Sequence, residues 1–389
     1  MSATVELSGI TWRHERGIDP LVATAARFAA ETGVQVSWEA RSLQGFADQS
    51  IPALAERFDL LVFDHPHIGE IVAKGALLAL DKLLDGAFLA DQELGSVGPS
   101  YSSYVWEGHL WGLAIDAAGH VAAYRPDLLE RLEVGPPQTW DEVWALDQIA
   151  RRAGLRVAIP NKPVDAICSL LSICANAGVD PYASDGRIVP RELGLERLEV
   201  LVRLTAASPA DAFEWDPIRL LDQMAEDDQV VYCPLLFGYS NYSRPGFRRR
   251  LVRFSPIPSS GLGPRGGLIG GAGLGISARC RHVEAARDYA RYVASPEVQR
   301  SLYTSSGGQP GHRAAWLDPQ ANELAGDYFR DTLAGLDAGY LRPRHDGAAH
   351  VHNQGGEQLW RFLHDGGDPA ALLDRLDTLY RRSLEPHGG

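Results

Sequence analysis

Phe58-Asp59-Leu60-Leu61-Val62-Phe63, running into Asp64-His65-Pro66-His67, is the stretch on which the fold turns. The run is apolar at almost every position. A strand with one face in water would alternate, so this one predicts a strand covered by helices on both faces, as in a parallel α/β sheet. The segments before it agree. Val5–Ile10 reads as a short buried strand and Thr11–Gly17 as a loop. Asp19 offers a helix N-cap and Pro20 the first helical position. Leu21, Ala25 and Phe28 recur on one face, Gly33 ends the helix, and Val34–Trp38 alternates as a second strand. Strand, helix, strand, helix, strand opens a parallel α/β sheet. In such sheets ligands sit beyond the carboxyl ends of the strands. The loops Trp12–Gly17 and Asp64–His67 are therefore placed by topology where a ligand binds.

Farther along, Thr139 and Gly154 bracket a helix, and Val157–Pro160 reads as a strand. Asp165–Ala177 is an apolar helix. Val230–Phe237 is a second apolar strand, opening into Gly238-Tyr239-Ser240-Asn241-Tyr242. Helices are expected at Val283–Ala294, Glu297–Tyr303 and Ala370–Ser383. The Gly/Pro-rich stretch Pro256–Gly275 is the expected crossing between lobes.

Composition narrows the function. The 389 residues suit more than one domain, and 45% hydrophobic with 22% charged is an ordinary globular mix. A formal net charge of -13 argues against nucleic acid as a partner, because phosphate attraction needs a basic face. No apolar stretch approaches a membrane span, so no membrane insertion is expected. The start, Met1 to Gly17, carries no export signal; as written this predicts a cytoplasmic protein, and a trimmed signal would place it in the periplasm or at the cell surface. The four cysteines lack metal-ligand spacing and read as reduced, buried thiols, with a Cys168–Cys174 bridge left open. No metal and no cofactor are expected. The glycine run Gly266–Gly275 matches neither GxGxxG nor a P-loop. It reads instead as close backbone approach to the ligand at Gly270 and Gly271.

The order of these pieces resembles the sugar-type (family 1) solute-binding proteins of ABC importers. Gly108–Asp116 followed by Ala123–Leu129 looks like that family's first crossover, and Pro136–Glu142 is similar to its helix start. Gly267–Ser277, Glu284-Ala285-Ala286 and Ser295-Pro296-Glu297 resemble its return through the first lobe, and Gly308-Gln309-Pro310 looks like its late glycine–proline loop. The resemblance implies an α/β, two-lobed type II periplasmic-binding-protein fold. Each lobe would be a mixed, mostly parallel sheet flanked by helices, with a ligand cleft between lobes that close by hinge motion. The first lobe would comprise 1–115 and 256–312, the second 116–255 and 313–389. It also implies a small-molecule ligand and, if the chain is exported, ABC permease subunits as partners.

Within that frame, aromatic plates for a sugar ring are sought at Trp12, Tyr239 and Tyr242, with Trp106, Trp111 and Trp360 as further candidates. Asn241, Asp116 and Gln309 supply polar contacts, Gly270 and Gly271 a close backbone. Arg16, Arg313, Arg342 and Arg344 fit an anionic ligand, because a guanidinium fork binds both oxygens of a carboxylate or phosphate. His67 is read as a ligand contact. The alternative is a cytoplasmic enzyme on the same fold, a lyase, hydratase or isomerase acting on a small oxygenated acid. His14 and His65 would then carry protons and Asp64 would orient them.

Overall fold

The computed structural model describes residues 4–42, 45, 50–183 and 186–385, so Met1–Ala3 of the start read for an export signal lie outside the described residues. Among the described residues the strands are β1 (Glu6–Trp12), β2 (Gln35–Arg41), β3 (Leu60–Phe63), β4 (Val105–Trp106), β5 (His109–Leu110), β6 (Leu113–Tyr124), β7 (Arg156–Val157), β8 (Val230–Phe237), β9 (Arg253–Ser255) and β10 (Ile269–Ile276). The chain divides into two units. Unit 1 comprises Met1–Ala118, Gly270–Leu324 and Arg344–Asp346; unit 2 comprises Gly119–Ile269, Ala325–Pro343 and Gly347–Gly389. The sequence-based boundaries at 115, 255 and 312 thus differ from the observed changeovers after 118, 269 and 324. The return of 344–346 to unit 1 was not foreseen, since nothing in that short segment marks it.

In unit 1, β1 runs parallel to both β2 and β3, and β10 lies antiparallel to β3 with Leu274 opposite Val62. All four residues of β3 are fully buried. Leu21, Ala25 and Phe28 on the helix Glu15–Thr32 and Ala286, Tyr289, Ala290 and Val293 on the helix Val283–Ala294 belong to the same core. Burying a Leu or Phe of this kind is worth roughly 1.5–3 kcal/mol each. The Tyr289 hydroxyl is satisfied within that core. It receives the Trp38 indole N–H at 3.1 Å, lies 3.1 Å from Thr24 Oγ1, and donates to the Leu21 carbonyl at 3.2 Å.

The first helix corrects the sequence reading. It begins at Glu15, not at Pro20, and its N-cap is His14, whose Nδ1 accepts the Arg16 backbone N–H at 3.0 Å. Histidine is not among the favoured capping residues, so the usual signal pointed to Asp19. Pro20 sits inside the helix. Much of the expected loop Trp12–Gly17 is therefore the first helical turn.

In unit 2 the second half of β6 pairs antiparallel with β8 and with β9, while β7 runs parallel to β8. Of the described pairings in unit 1 two are parallel and two, β10–β3 and β4–β5, antiparallel, and in unit 2 one of three is parallel, so the expected mostly parallel sheet is mixed. In unit 2, β6 enters straight from unit 1, without a βαβ crossover to impose a parallel direction. The helix Pro163–Asn176 is buried at every residue from Asp165 on, and packs with the helices Arg191–Ala207 and Ala348–Asp365. A helix apolar all round belongs in an interior. Thr139 caps the helix Trp140–Arg152 as read, accepting from the Glu142 amide while Glu142 Oε2 accepts from Gln138 N–H. The four cysteines are buried thiols, and no Cys168–Cys174 disulfide is formed.

The glycine run has a local explanation. Gly271 has φ +102°, and a Cβ there would stand 2.4 Å from the Asp116 carbonyl oxygen. Close approach exists, but to the backbone of β6. Gly271→Ala is expected to cost about 2–5 kcal/mol, from backbone strain plus overpacking. Urea denaturation of the variant measures it; a loss below about 1 kcal/mol would contradict this packing.

Candidate ligand-binding site

Two strands set the unit 1 site. β1 delivers His14 and Arg16 just past its carboxyl end, and β3 delivers Asp64 and His65 past its own. Arg16 is 4% exposed and Asp116, on β6, is 1% exposed. Arg16 Nε donates to Asp116 Oδ2 at 2.7 Å and Nη2 donates to Oδ1, a two-pronged pair. Burial pushes the Asp116 carboxyl above its ordinary range; Arg16 pulls it back, and the nearby Asp64 charge pushes it up again. His65 Nδ1 lies 3.1 Å from Asp64 Oδ1, and its ring stands edge-on to Tyr104. His65 is fully buried, whereas Asp64 keeps about a quarter of its side chain exposed, 26%. Arg16, Asp116, Asp64 and His65 thus form one electrostatic group.

The remaining predicted residues of unit 1 are held by the protein. Trp12 is a core residue, 4% exposed, packed so closely on Gly17 that a Cβ there would come within 2.5 Å of its ring. It is not an open plate. His14 commits Nδ1 to the helix cap, which conflicts with the proton-carrier role written for it. His67 lies 3.9 Å from Glu70 and helps hold that carboxyl below its ordinary range. The Gln309 amide donates to the Ala117 carbonyl at 2.8 Å, so it ties its loop to β6. Arg313 belongs to unit 1, not to the second lobe, and donates to the Ser96 carbonyl at 3.0 Å. Arg344 also belongs to unit 1 and gathers the carbonyls of Ser102, Ser103 and Val105 at 2.7, 2.7 and 3.1 Å. Gly270 is buried on β10 beside Gly271.

In unit 2, Tyr239, Asn241 and Tyr242 are 6%, 2% and 0% exposed. The Tyr242 hydroxyl donates to Asp222 Oδ1 at 2.7 Å, and Arg248 lies against the Phe247 ring and donates to the same Asp222 oxygen at 3.0 Å. These aromatics are core members. Arg342 Nη1 donates to His352 Nε2 at 3.0 Å. His120 Nδ1 lies 2.8 Å from the Ser172 hydroxyl, which accepts the Leu268 amide at 3.0 Å. Burial, helped by the Arg342 charge, pushes the His120 imidazole down to about 3. Sequence reasoning passed over His120 and His352, because their partners lie 52 and 184 residues away. Among the described residues no group of three or more His, Cys, Asp or Glu is placed to hold a metal ion, and no helix is long and apolar enough to cross a membrane.

The architecture is that of the two-lobed type II periplasmic-binding proteins. Maltose-bound MalE3 of T. maritima matches with a TM-score of 0.84 over 98% of this chain and 100% of that one, at 18% identity. The GacH receptor of Streptomyces glaucescens matches with a TM-score of 0.80 over 100% of both chains, at 15% identity. A solute-binding protein of Agrobacterium radiobacter in complex with ribitol gives 0.81 over 97% and 98%, at 18% identity. Residues 23–192 match the model of the bacterial extracellular solute-binding protein family. A curated relative, a probable amino-acid ABC transporter periplasmic-binding protein of Sinorhizobium fredii, is 24% identical over 190 residues. That match spans 47% of this chain and 42% of the relative's length.

Two outcomes follow from the electrostatics. Arg16→Met strands a buried carboxylate and is expected to cost about 3–5 kcal/mol near neutral pH. Without Arg16 the folded-state pKa of Asp116 rises further. A raised carboxyl stabilises below its unfolded pKa and loses that contribution as pH rises, so the deficit must shrink on acidification. Denaturation at pH 7.5 and pH 5 reads it; a deficit that grows on acidification contradicts the pair. His120 runs the other way, its pKa lowered from 6.5 to about 3. Its contribution is full above 6.5 and is lost as pH falls toward 3, with a slope approaching about 1.4 kcal/mol per pH unit. His120→Gln should flatten the stability–pH curve over that window, and an unchanged slope would assign it to other groups.

Proposed function

We propose that this chain is the solute-capturing component of an ABC importer, taking a small neutral polyhydroxy compound of the sugar or polyol class and presenting it, outside the cytoplasmic membrane, to permease subunits. The observation that carries this is the match of residues 23–192 to the extracellular solute-binding family model together with a fold matched end to end by proteins solved with maltose and ribitol. The arginines favour hydroxyls over an anion. Arg16 is neutralised by Asp116, while Arg313 and Arg344 donate to backbone carbonyls. Asp64, at the carboxyl end of β3 with part of its carboxylate exposed, is the group to accept a solute hydroxyl. Binding, with no change to the solute, replaces the lyase or isomerase alternative.

Thermal unfolding of the full chain against maltose, ribitol, D-mannitol and tagatose, with amino acids as a comparison set, tests the proposal. A ligand at a hundred times its Kd adds about 2.7 kcal/mol, a shift of several degrees, and mass spectrometry should recover it unchanged. Asp64→Ala should weaken that binding about 10- to 100-fold, the loss of one charged hydrogen bond. Stabilisation by amino acids alone, or turnover of the bound compound, would replace this reading.

A further inference from the structure

Separate from solute capture, Cys168 meets two groups 174 and 184 residues away inside unit 2. Cys168 lies on the helix Pro163–Asn176 and His352 on the helix Ala348–Asp365, with Arg342 on the segment preceding the latter. Cys168 Sγ stands 3.2 Å from His352 Nε2. Arg342 Nη1 donates to that same nitrogen at 3.0 Å and reaches Sγ at 3.8 Å. The three residues are 0%, 8% and 5% exposed.

The protonation pattern follows from the donors. A guanidinium only donates, so the His352 nitrogen facing it carries a lone pair, and the imidazole proton sits on Nδ1. The same lone pair lies 3.2 Å from the thiol and takes its proton as the Arg342 N–H turns from Nε2 to the sulfur, 3.8 Å away. The sulfur left behind faces a permanent cation, the arrangement that makes a thiol nucleophilic. At the other cysteines burial dominates: it pushes Cys174 up to about 12 against the pull of the Arg197 charge, pushes Cys280 up to about 11, and raises Cys233 as well.

We propose that Cys168, His352 and Arg342 form an activated-thiol site that reacts with hydrogen peroxide and soft electrophiles. With peroxide, the sulfur lone pair attacks one oxygen and the O–O bond breaks. The leaving hydroxide takes the thiol's own proton from His352 and departs as water. Sulfur is oxidised to the sulfenic acid and peroxide is reduced, so atoms and electrons balance. Arg342, its N–H turned to the sulfur, holds the thiolate, and His352 relays the proton.

Iodoacetamide labelling of the folded, full chain with peptide mapping decides between this site and simple access. Cys280, at 8%, is the most exposed of the four thiols. If access governs, Cys280 labels first. The expected result is Cys168 first, about tenfold faster than Cys174 and Cys233, with a pH midpoint below the ordinary thiol value of about 8.5. Dimedone trapping after peroxide should then mark Cys168. Arg342→Met should slow labelling of Cys168 and raise its midpoint, and Arg342→Lys should restore part of the rate. A variant that unfolds reveals itself by labelling all four cysteines alike, and His352→Gln then supplies the second reading. Cys280 labelling first, or Cys168 reacting no faster than Cys174, overturns the proposal whatever the variants do.

Discussion

A buried ion pair, Arg16 to Asp116, fixes unit 1. Its members are 100 residues apart, one in the first turn of the first helix and one on β6 shortly before the chain passes into unit 2. Neither charge reaches water, so each is tolerable only because the other is there with two hydrogen bonds between them. The pair therefore dictates local structure at both ends. At the helix end, His14 caps the Arg16 amide, which sets the direction of the first turn. At the strand end, Gly271 and Gln309 close on the backbone around Asp116.

The same accounting explains why so many polar side chains at the strand ends serve the fold. Backbone carbonyls at the end of a short helical turn need donors. Arg344 meets two of them, Ser102 and Ser103, and also the Val105 carbonyl on β4, while Arg313 meets that of Ser96 just past the helix Gly86–Leu94. A buried hydroxyl must be paired, and Tyr242 spends its proton on Asp222. What this leaves at the carboxyl edge of the unit 1 sheet is chiefly a carboxylate, Asp64, with a buried histidine behind it. Such an edge suits a ligand rich in hydroxyl groups better than one carrying a charge of its own.

Unit 2 is built around the helix Pro163–Asn176, apolar nearly throughout and enclosed by its neighbours. Its polar groups are therefore expensive and correspondingly well matched. Ser172 joins the Leu268 amide to His120, and Cys168 meets His352 and Arg342. Low local dielectric strengthens each of these contacts and keeps His120 neutral down to strongly acid pH.

The sequence by itself determined a good deal. The apolar run Leu60–Phe63, the spacing of Leu21, Ala25 and Phe28, and the Thr139 cap are local patterns, and local patterns are written in consecutive residues. They were enough for an α/β fold and for loops at the carboxyl end of the sheet; the solute-binding type came from the resemblance of segments such as Gly108–Asp116 and Pro136–Glu142. Only the tertiary structure decided what the side chains in those loops do. Whether Arg16 meets a ligand or Asp116, whether Trp12 is a plate or a core residue, and whether Cys168 is inert or faces His352 all depend on segments up to 184 residues away. Periodicity fixes which face of an element is buried, but it carries no information about which distant residue arrives to meet that face.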